Sequence, residues 1–241
     1  MQTKAVLFDL DGTLVDSLPT LTCSLNAYLA ALGKAPFTEK EVSDMVGKGV
    51  RVLLQKAFAC RQVRLAGASF DAAVKDYIAQ CLKTGNGKTR VFPGVAEALG
   101  ALRSKGIKTA LVTNKSRAMT LSLLADKGLA PLFDVVVAGD DGHTPKPAPD
   151  MLLAAAAALG ASAADCVMVG DSRNDALAAR SAKMTVRLVA CGYNEGEPIG
   201  QWAQANGFDA PFPATAQAVA GLCWCARHER VLTGESPECR G

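Results

Sequence analysis

Short apolar runs alternate with helical segments through most of this chain, and a single long interruption of that alternation sets what the chain can fold into. The runs are Lys4 to Leu10, Lys108 to Thr113, Asp134 to Ala138, Cys166 to Val169 and Thr185 to Ala190. Each has the length and near-continuous apolar character of a strand buried on both faces of a parallel sheet. The segments between them carry helix punctuation. Gly94 to Lys105 stops at Gly106, Arg117 to Lys127 follows Ser116 as an N-cap and stops at Gly128, and Pro149 to Leu159 opens on a helix-compatible proline and closes at Gly160. Strand and helix in alternation predict an α/β, doubly wound, Rossmann-like sheet.

The interruption lies between the first strand and the second, from 16 to 90, where every signal is helical. Leu18 to Leu32 precedes Gly33, Thr38 and Glu41 have the spacing of a capping box, and Val50 to Cys60 and Ser69 to Thr84 follow. So long a helical stretch exceeds a crossover connection and predicts a separate cap beside the active edge of the sheet, with Thr84 to Lys88 as the hinge on its return side. The expected division is a core of 1–15 and 91–221, an all-helical cap of 16–90, and a loosely ordered extension of 222–241.

A chain of 241 residues, 49% apolar and only 5% aromatic, is long enough to bury a full core of packed helices around a sheet. Its formal charge of +3 comes with no basic run or basic-aromatic stripe, which gives nucleic acid no support as a partner and leaves room for a small anion. The apolar start ends at Asp9, too soon for a signal peptide, and the longest later apolar stretch, Met151 to Ala161, falls short of the roughly 20 residues of a membrane span. The protein is expected in the cytoplasm, off the membrane, as a monomer or homodimer. Cys23, Cys60, Cys81, Cys166 and Cys191 read as reduced packing residues.

In an open parallel sheet the ligand crevice lies outside the carboxyl ends of the strands, where Asp9, Thr113 and Asp171 all fall. Asp9 and Asp11, two apart, share a face if the strand continues, and Gly12 lets the backbone turn closely around a phosphate. Phosphate monoester hydrolysis is among the slowest uncatalysed reactions, so several effects must act together. A carboxylate nucleophile splits it into transfer and release, a second carboxyl exchanges the proton with the leaving oxygen and with water, and cations offset the phosphoryl charge. Asp9, Asp11 and Lys146 supply these roles, and Asp171 adds an oxygen ligand suited to Mg²⁺. An Asp-Gly turn or a Gly-Asp-Ser helix cap is common by itself. Turn chemistry does not explain the whole ordered set, with a strand-end threonine and a lysine between prolines.

At Asp9-Leu10-Asp11-Gly12-Thr13, Thr113-Asn114, Lys146 and Gly170 to Asp175 the chain resembles the haloacid dehalogenase superfamily of phosphatases, over about residues 1 to 220. The resemblance implies that Asp9 is phosphorylated, that Asp11 is the acid/base, that Thr113 and the Asn114 amide hold phosphate, and that Lys146 bridges Asp9 and phosphate. It further implies Mg²⁺ on Asp9, the Asp11 carbonyl and Asp171, with Ser172 and Asp175 behind them. The Phe8 to Ser17 segment, Met45-Val46-Gly47-Lys48-Gly49 and Gly192-Tyr193-Asn194-Glu195-Gly196 are most similar to the phosphoglycolate phosphatase branch.

The function so implied is hydrolysis of a small phosphomonoester, 2-phosphoglycolate before others. A sugar-phosphate phosphatase, a phosphomutase and a silent phosphate-binding regulator are the alternatives. Lys48 and Arg51 of the cap are the expected readers of the substrate carboxylate. Two positions depart from the branch: Lys183 stands where a glycine usually follows the helix, and Ala148 where histidine is frequent. Cys223, Cys225, His228 and Cys239 match no strong zinc spacing.

Overall fold

A computed structural model describes residues 3–223. In chain order its elements are β1 (Ala5–Phe8), β2 (Val15–Asp16), α1 (Leu18–Ala31), α2 (Glu39–Ser43), α3 (Gly49–Cys60), α4 (Gly67–Thr84), β3 (Arg90–Val91), α5 (Val95–Ser104), β4 (Lys108–Val112) and α6 (Arg117–Asp126). Then come β5 (Val135–Val137), α7 (Asp150–Ala158), β6 (Cys166–Gly170), α8 (Arg173–Ser181), β7 (Thr185–Leu188), α9 (Ile199–Ala205) and α10 (Thr215–Ala220).

The five predicted runs form one parallel sheet in the order β5-β4-β1-β6-β7. Alternation along the central strand divides the core. Val6 and Phe8 point into a cluster with Val95 and Leu99 of α5, Leu123 of α6 and Val219 of α10. Ala5 and Leu7 point the other way, onto Met151 and Ala155 of α7 and Ala178 of α8. Helices thus cover both faces, as the unbroken apolar strands require. Each fully buried side chain of this size contributes roughly 1.5–3 kcal/mol. The central position of β1 places residue 9 at the middle of the carboxyl edge, between the ends of β4 and β6.

Residues 18–84 form four helices with a cluster of their own, built on Leu25, Leu54, Phe58 and Tyr77, to which only Met119 of α6 is added from outside. The Thr38–Glu41 capping box is present, with the Thr38 amide donating to Glu41 Oε2 at 2.7 Å. The sequence did not show the antiparallel ribbon of β2 and β3, which pairs Val15 with Val91 and Asp16 with Arg90 where the chain leaves and re-enters the sheet unit. Two-residue strands carry no periodicity to read. Ser116 sits at the N-cap of α6 without making a side-chain cap bond; the Arg117 amide donates instead to Asp140 Oδ1 at 2.6 Å, from the loop after β5. Leu222 packs against the sheet cluster. Cys225, His228 and Cys239 lie outside the described residues, as does the side chain of Cys223. Cys23, Cys60, Cys81, Cys166 and Cys191 are all free.

Lys183 follows α8 in the left-handed region, at φ +55°. A side chain with a Cβ is strained there and glycine is not. Lys183→Gly is expected to raise stability by about 0.5–1 kcal/mol in denaturant unfolding; a loss of stability would show that the lysine makes a contact outweighing its backbone cost.

Candidate active site

The loop after β1 turns through Asp9, Leu10 and Asp11 to Gly12, whose φ of +87° only glycine adopts freely. A Cβ on Gly12 would lie 2.7 Å from Asp171 Cγ, so the first acidic turn and the turn after β6 touch backbone to side chain. Asp9 and Asp11 leave the strand before they reach the cavity, contrary to the shared-strand expectation. Both nonetheless line it, along with Thr113, Asn114, Asp171 and Ser172.

Lys146 is the centre of the arrangement. Its ammonium is 3.0 Å from Asp9 Oδ1 and 2.6 Å from Asp175 Oδ1, and it donates to the Val112 carbonyl at 2.8 Å. Its side chain is 2% exposed, and three acceptors satisfy its three donors. Burial alone would pull Lys146 down, but Asp175 and Asp9 outweigh it and hold the ammonium above its ordinary range. Asp175 is fully buried; besides Lys146 it accepts from the Ser172 amide at 3.1 Å and from Ser172 Oγ at 2.7 Å, closing a capping box at the start of α8. One residue therefore starts a helix and anchors the lysine.

Asp171 is held on both oxygens. Thr13 Oγ1 donates to Oδ1 and the Tyr193 amide to Oδ2, each at 2.9 Å. Burial, reinforced by the charges of Asp175 and Asp9, pushes Asp171 up to about 8. Burial, only partly offset by Lys146, pushes Asp9 up to about 6. Ligand oxygens of Asp9, Asp171 and Asp175 all lie within 4.8 Å of one another. The Lys146 ammonium offsets only one of these three close carboxylates, and the all-oxygen set fits a hard divalent ion.

Asn114 is committed elsewhere than the cavity centre: Nδ2 donates to the carbonyls of Lys146 at 2.9 Å and of Gly47 at 3.0 Å, while Oδ1 accepts from the Lys146 amide. Its side chain thus ties the lysine loop to the helical unit. Gly49 comes equally close, at φ +80°, where a Cβ would lie 2.7 Å from the Asn114 carbonyl. The wall opposite the acids is apolar, formed by Leu21, Val46, Val50 and Leu53 of the helical unit with Met119.

Lys48 and Arg51 are not brought to the cavity. Lys48 Nζ lies 3.1 Å from Glu195 Oε1, beside Lys56 on the same carboxylate, and these two lysines hold Glu195 below the usual carboxylate range against the effect of its burial. Arg51 pairs with Asp71 at 2.8 Å on an exposed face and stacks over Phe70. Among the described residues Lys115 is the cation that does line the cavity, and it escaped the sequence reading. Its ammonium lies 3.0 Å from both oxygens of Asp11, and Ser17 Oγ donates to Asp11 Oδ1 at 2.5 Å. The signal was Lys115's place directly after Thr113-Asn114, on a loop whose neighbours all face the site. Tyr193 was also missed as a site residue; it lines the cavity, and its hydroxyl accepts from the Ser17 and Leu18 amides and donates to Asp16 Oδ1.

Residues 3–183 match the family of haloacid dehalogenase-like hydrolases. The chain is 37% identical to the phosphoglycolate phosphatase of Psychrobacter arcticus, over 87% of this chain and 93% of that one. It is 39% identical to that of Nitrosospira multiformis, over 81% and 87%. Its structure superposes on the crystal structure of a predicted phosphoglycolate phosphatase from Haemophilus somnus with a TM-score of 0.82 and 32% identity, covering 90% of this chain and 96% of the other. Among the described residues, no helix is long and apolar enough to cross a membrane.

Proposed function

The chain belongs to the haloacid dehalogenase-like hydrolase family and is a phosphatase of that family, and we propose that it hydrolyses 2-phosphoglycolate to glycolate and phosphate through an aspartyl-phosphate on Asp9. The observation that carries this reading is Lys146, buried and fully bonded between Asp9 and Asp175, because it holds Oδ1 of Asp9, a residue that lines the cavity.

In the first step an Asp9 oxygen bonds to phosphorus as the ester P–O bond breaks, and Asp11, in its protonated form, gives its proton to the departing glycolate oxygen. In the second, water attacks the phosphorus, the Asp9–P bond breaks, and Asp11 takes the water's proton, which restores both side chains. Thr113 and the main-chain amide of Asn114 receive the phosphoryl oxygens, since both side-chain donors of Asn114 are already used. The Lys146 ammonium offsets phosphoryl charge from beside Asp9. Mg²⁺ would be held by Asp9, the Asp11 carbonyl and Asp171, and when bound it supplies positive charge that neutralises the phosphoryl oxygens. Thr13 and the Tyr193 amide orient Asp171 for that task, and Ser172 and Asp175 stand behind it.

The purified protein is expected to release inorganic phosphate from 2-phosphoglycolate in the presence of Mg²⁺, with kcat/KM at least tenfold (~1.4 kcal/mol) above that for small sugar phosphates. Equal rates would favour a sugar-phosphate phosphatase. Phosphate passed to a second substrate hydroxyl, with none released, would identify a phosphomutase.

The metal can be tested apart from turnover. Asp9 and Asp171, raised to about 6 and about 8, hold protons in the folded metal-free protein that the unfolded chain gives up near the ordinary 3.8. The folded state binds more protons, so metal-free stability falls as pH rises from about 4 to about 8. Mg²⁺ needs the ionised carboxylates and is expected to raise Tm more at pH 8 than at pH 5. A Tm shift that is absent, or larger at the lower pH, would remove Mg²⁺ from these residues.

A further inference from the structure

The phosphatase reading leaves open which group recognises the rest of the substrate, and the cavity holds one cation with no phosphoryl work assigned to it. We propose that Lys115 is the specificity-determining residue, binding the carboxylate of a small phosphorylated acid. This inference rests on the phosphatase reading and names the residue that selects its substrate.

Five observations support it. Lys115 lines the cavity and pairs with Asp11 while Lys146 pairs with Asp9, so an ammonium group accompanies each of the two acids that an ester carrying both a phosphoryl group and a carboxylate would meet. The Lys115 side chain is only 6% exposed, and a buried ammonium is poorly screened and discriminates strongly between charged and neutral partners. It sits 3.0 Å from both oxygens of the Asp11 carboxylate, which uses two of its three donors and leaves the third for a second carboxylate. The other nearby cations are placed differently: Lys146 is bonded to three acceptors, and Lys48, Lys56 and Arg51, which do not line the cavity, pair with Glu195 and Asp71. The apolar wall of Leu21, Val50 and Leu53 offers no competing site for charge. A substrate of this shape places its phosphoryl group between Asp9 and Lys146 and its carboxylate on Lys115, with Asp11 between them at the bridging oxygen.

The test compares 2-phosphoglycolate with ethyl phosphate, which replaces the carboxylate by a methyl group. Wild-type protein is expected to prefer 2-phosphoglycolate. Lys115→Met is expected to lower kcat/KM for both esters, because Asp11 loses its partner, and to lower the ratio between them by a further ~10- to 100-fold. Lys115→Arg, which keeps the charge, is expected to retain most of the preference, and Lys48→Ala is expected to change both esters by the same factor. Equal losses on both esters in Lys115→Met would make Lys115 a positioning residue for Asp11 only and would overturn the proposal. So would a preference lost in Lys48→Ala instead. If Lys115→Met does not fold, Lys115→Gln, which keeps a hydrogen-bond donor for Asp11, makes the same comparison with the same two outcomes, and wild-type hydrolysis of both esters without preference overturns this inference alone. Hydrolysis of neither ester overturns the phosphoglycolate reading beneath it.

Discussion

Asp9→Asn is expected to abolish phosphate release while the protein stays folded. Asparagine keeps the shape and one carbonyl oxygen for Lys146, which donates to Asp9 Oδ1 at 3.0 Å, but it cannot form the ester bond to phosphorus. Burial already raises Asp9 to about 6, so the ionised form is costly in the metal-free protein and its removal costs the fold little. Loss of a nucleophile that works with its neighbours as a unit costs roughly 10⁴- to 10⁶-fold in kcat. Tm is expected to be unchanged or higher at pH 8 without metal. Turnover within tenfold of wild type would mean that water attacks phosphorus directly and that Asp9 only holds charge.

Lys146→Met is expected to damage the protein in a different way, through both activity and stability. Methionine fills the volume but leaves the Asp9 and Asp175 carboxylates facing each other without a cation, and Asp175 is fully buried. Breaking a buried ion pair on one side only costs about 3–5 kcal/mol, because the remaining charge stays desolvated. Denaturant unfolding at pH 8 should show that loss. Adding Asp175→Asn should return part of it, since the amide needs no countercharge and can keep the bonds that Ser172 makes to this position. A double variant less stable than the single one would show that Lys146 and Asp175 are not energetically linked.

Much of this fold was legible because the signals were long and repeated. The five strands were found within one or two residues, since a both-faces-buried strand leaves an unbroken apolar run such as Ala5–Phe8 or Cys166–Gly170. The helices of the 18–84 unit were found from glycine stops and the Thr38–Glu41 box, which are local features. Local pattern failed where the partner is distant. Ser116 has the right residue type for a cap, yet the cap is supplied by Asp140 from another loop. The ribbon of Val15–Asp16 with Arg90–Val91 depends on residues some seventy positions apart in sequence meeting in space.

The site divided in the same way. Asp9, Asp11, Lys146, Asp171 and Asp175 stood out by their types and order, and the structure gathers them at one edge of the sheet. Lys115 does not, because a lysine in a loop is usually a solvated charge and only the fold shows that this one is buried against Asp11. Lys48 and Arg51 misled for the opposite reason. Their glycine-flanked segment does reach the cavity through Gly47 and Gly49, but the long side chains turn back to Glu195 and Asp71.

The most direct test of the mechanism is to look for phosphate on Asp9. Asp11→Asn should slow release more than transfer for a substrate with a good leaving group, because activating water needs the base while expelling an aryl oxide needs little acid. Rapid acid quench of that variant with an aryl phosphate, followed by peptide mass spectrometry, is expected to show a hydroxylamine-labile phosphoryl group on the peptide carrying Asp9 and nowhere else. A phosphoryl group on another side chain, or product formed in the first turnover with no phosphorylated peptide at any quench time, would contradict a nucleophilic Asp9.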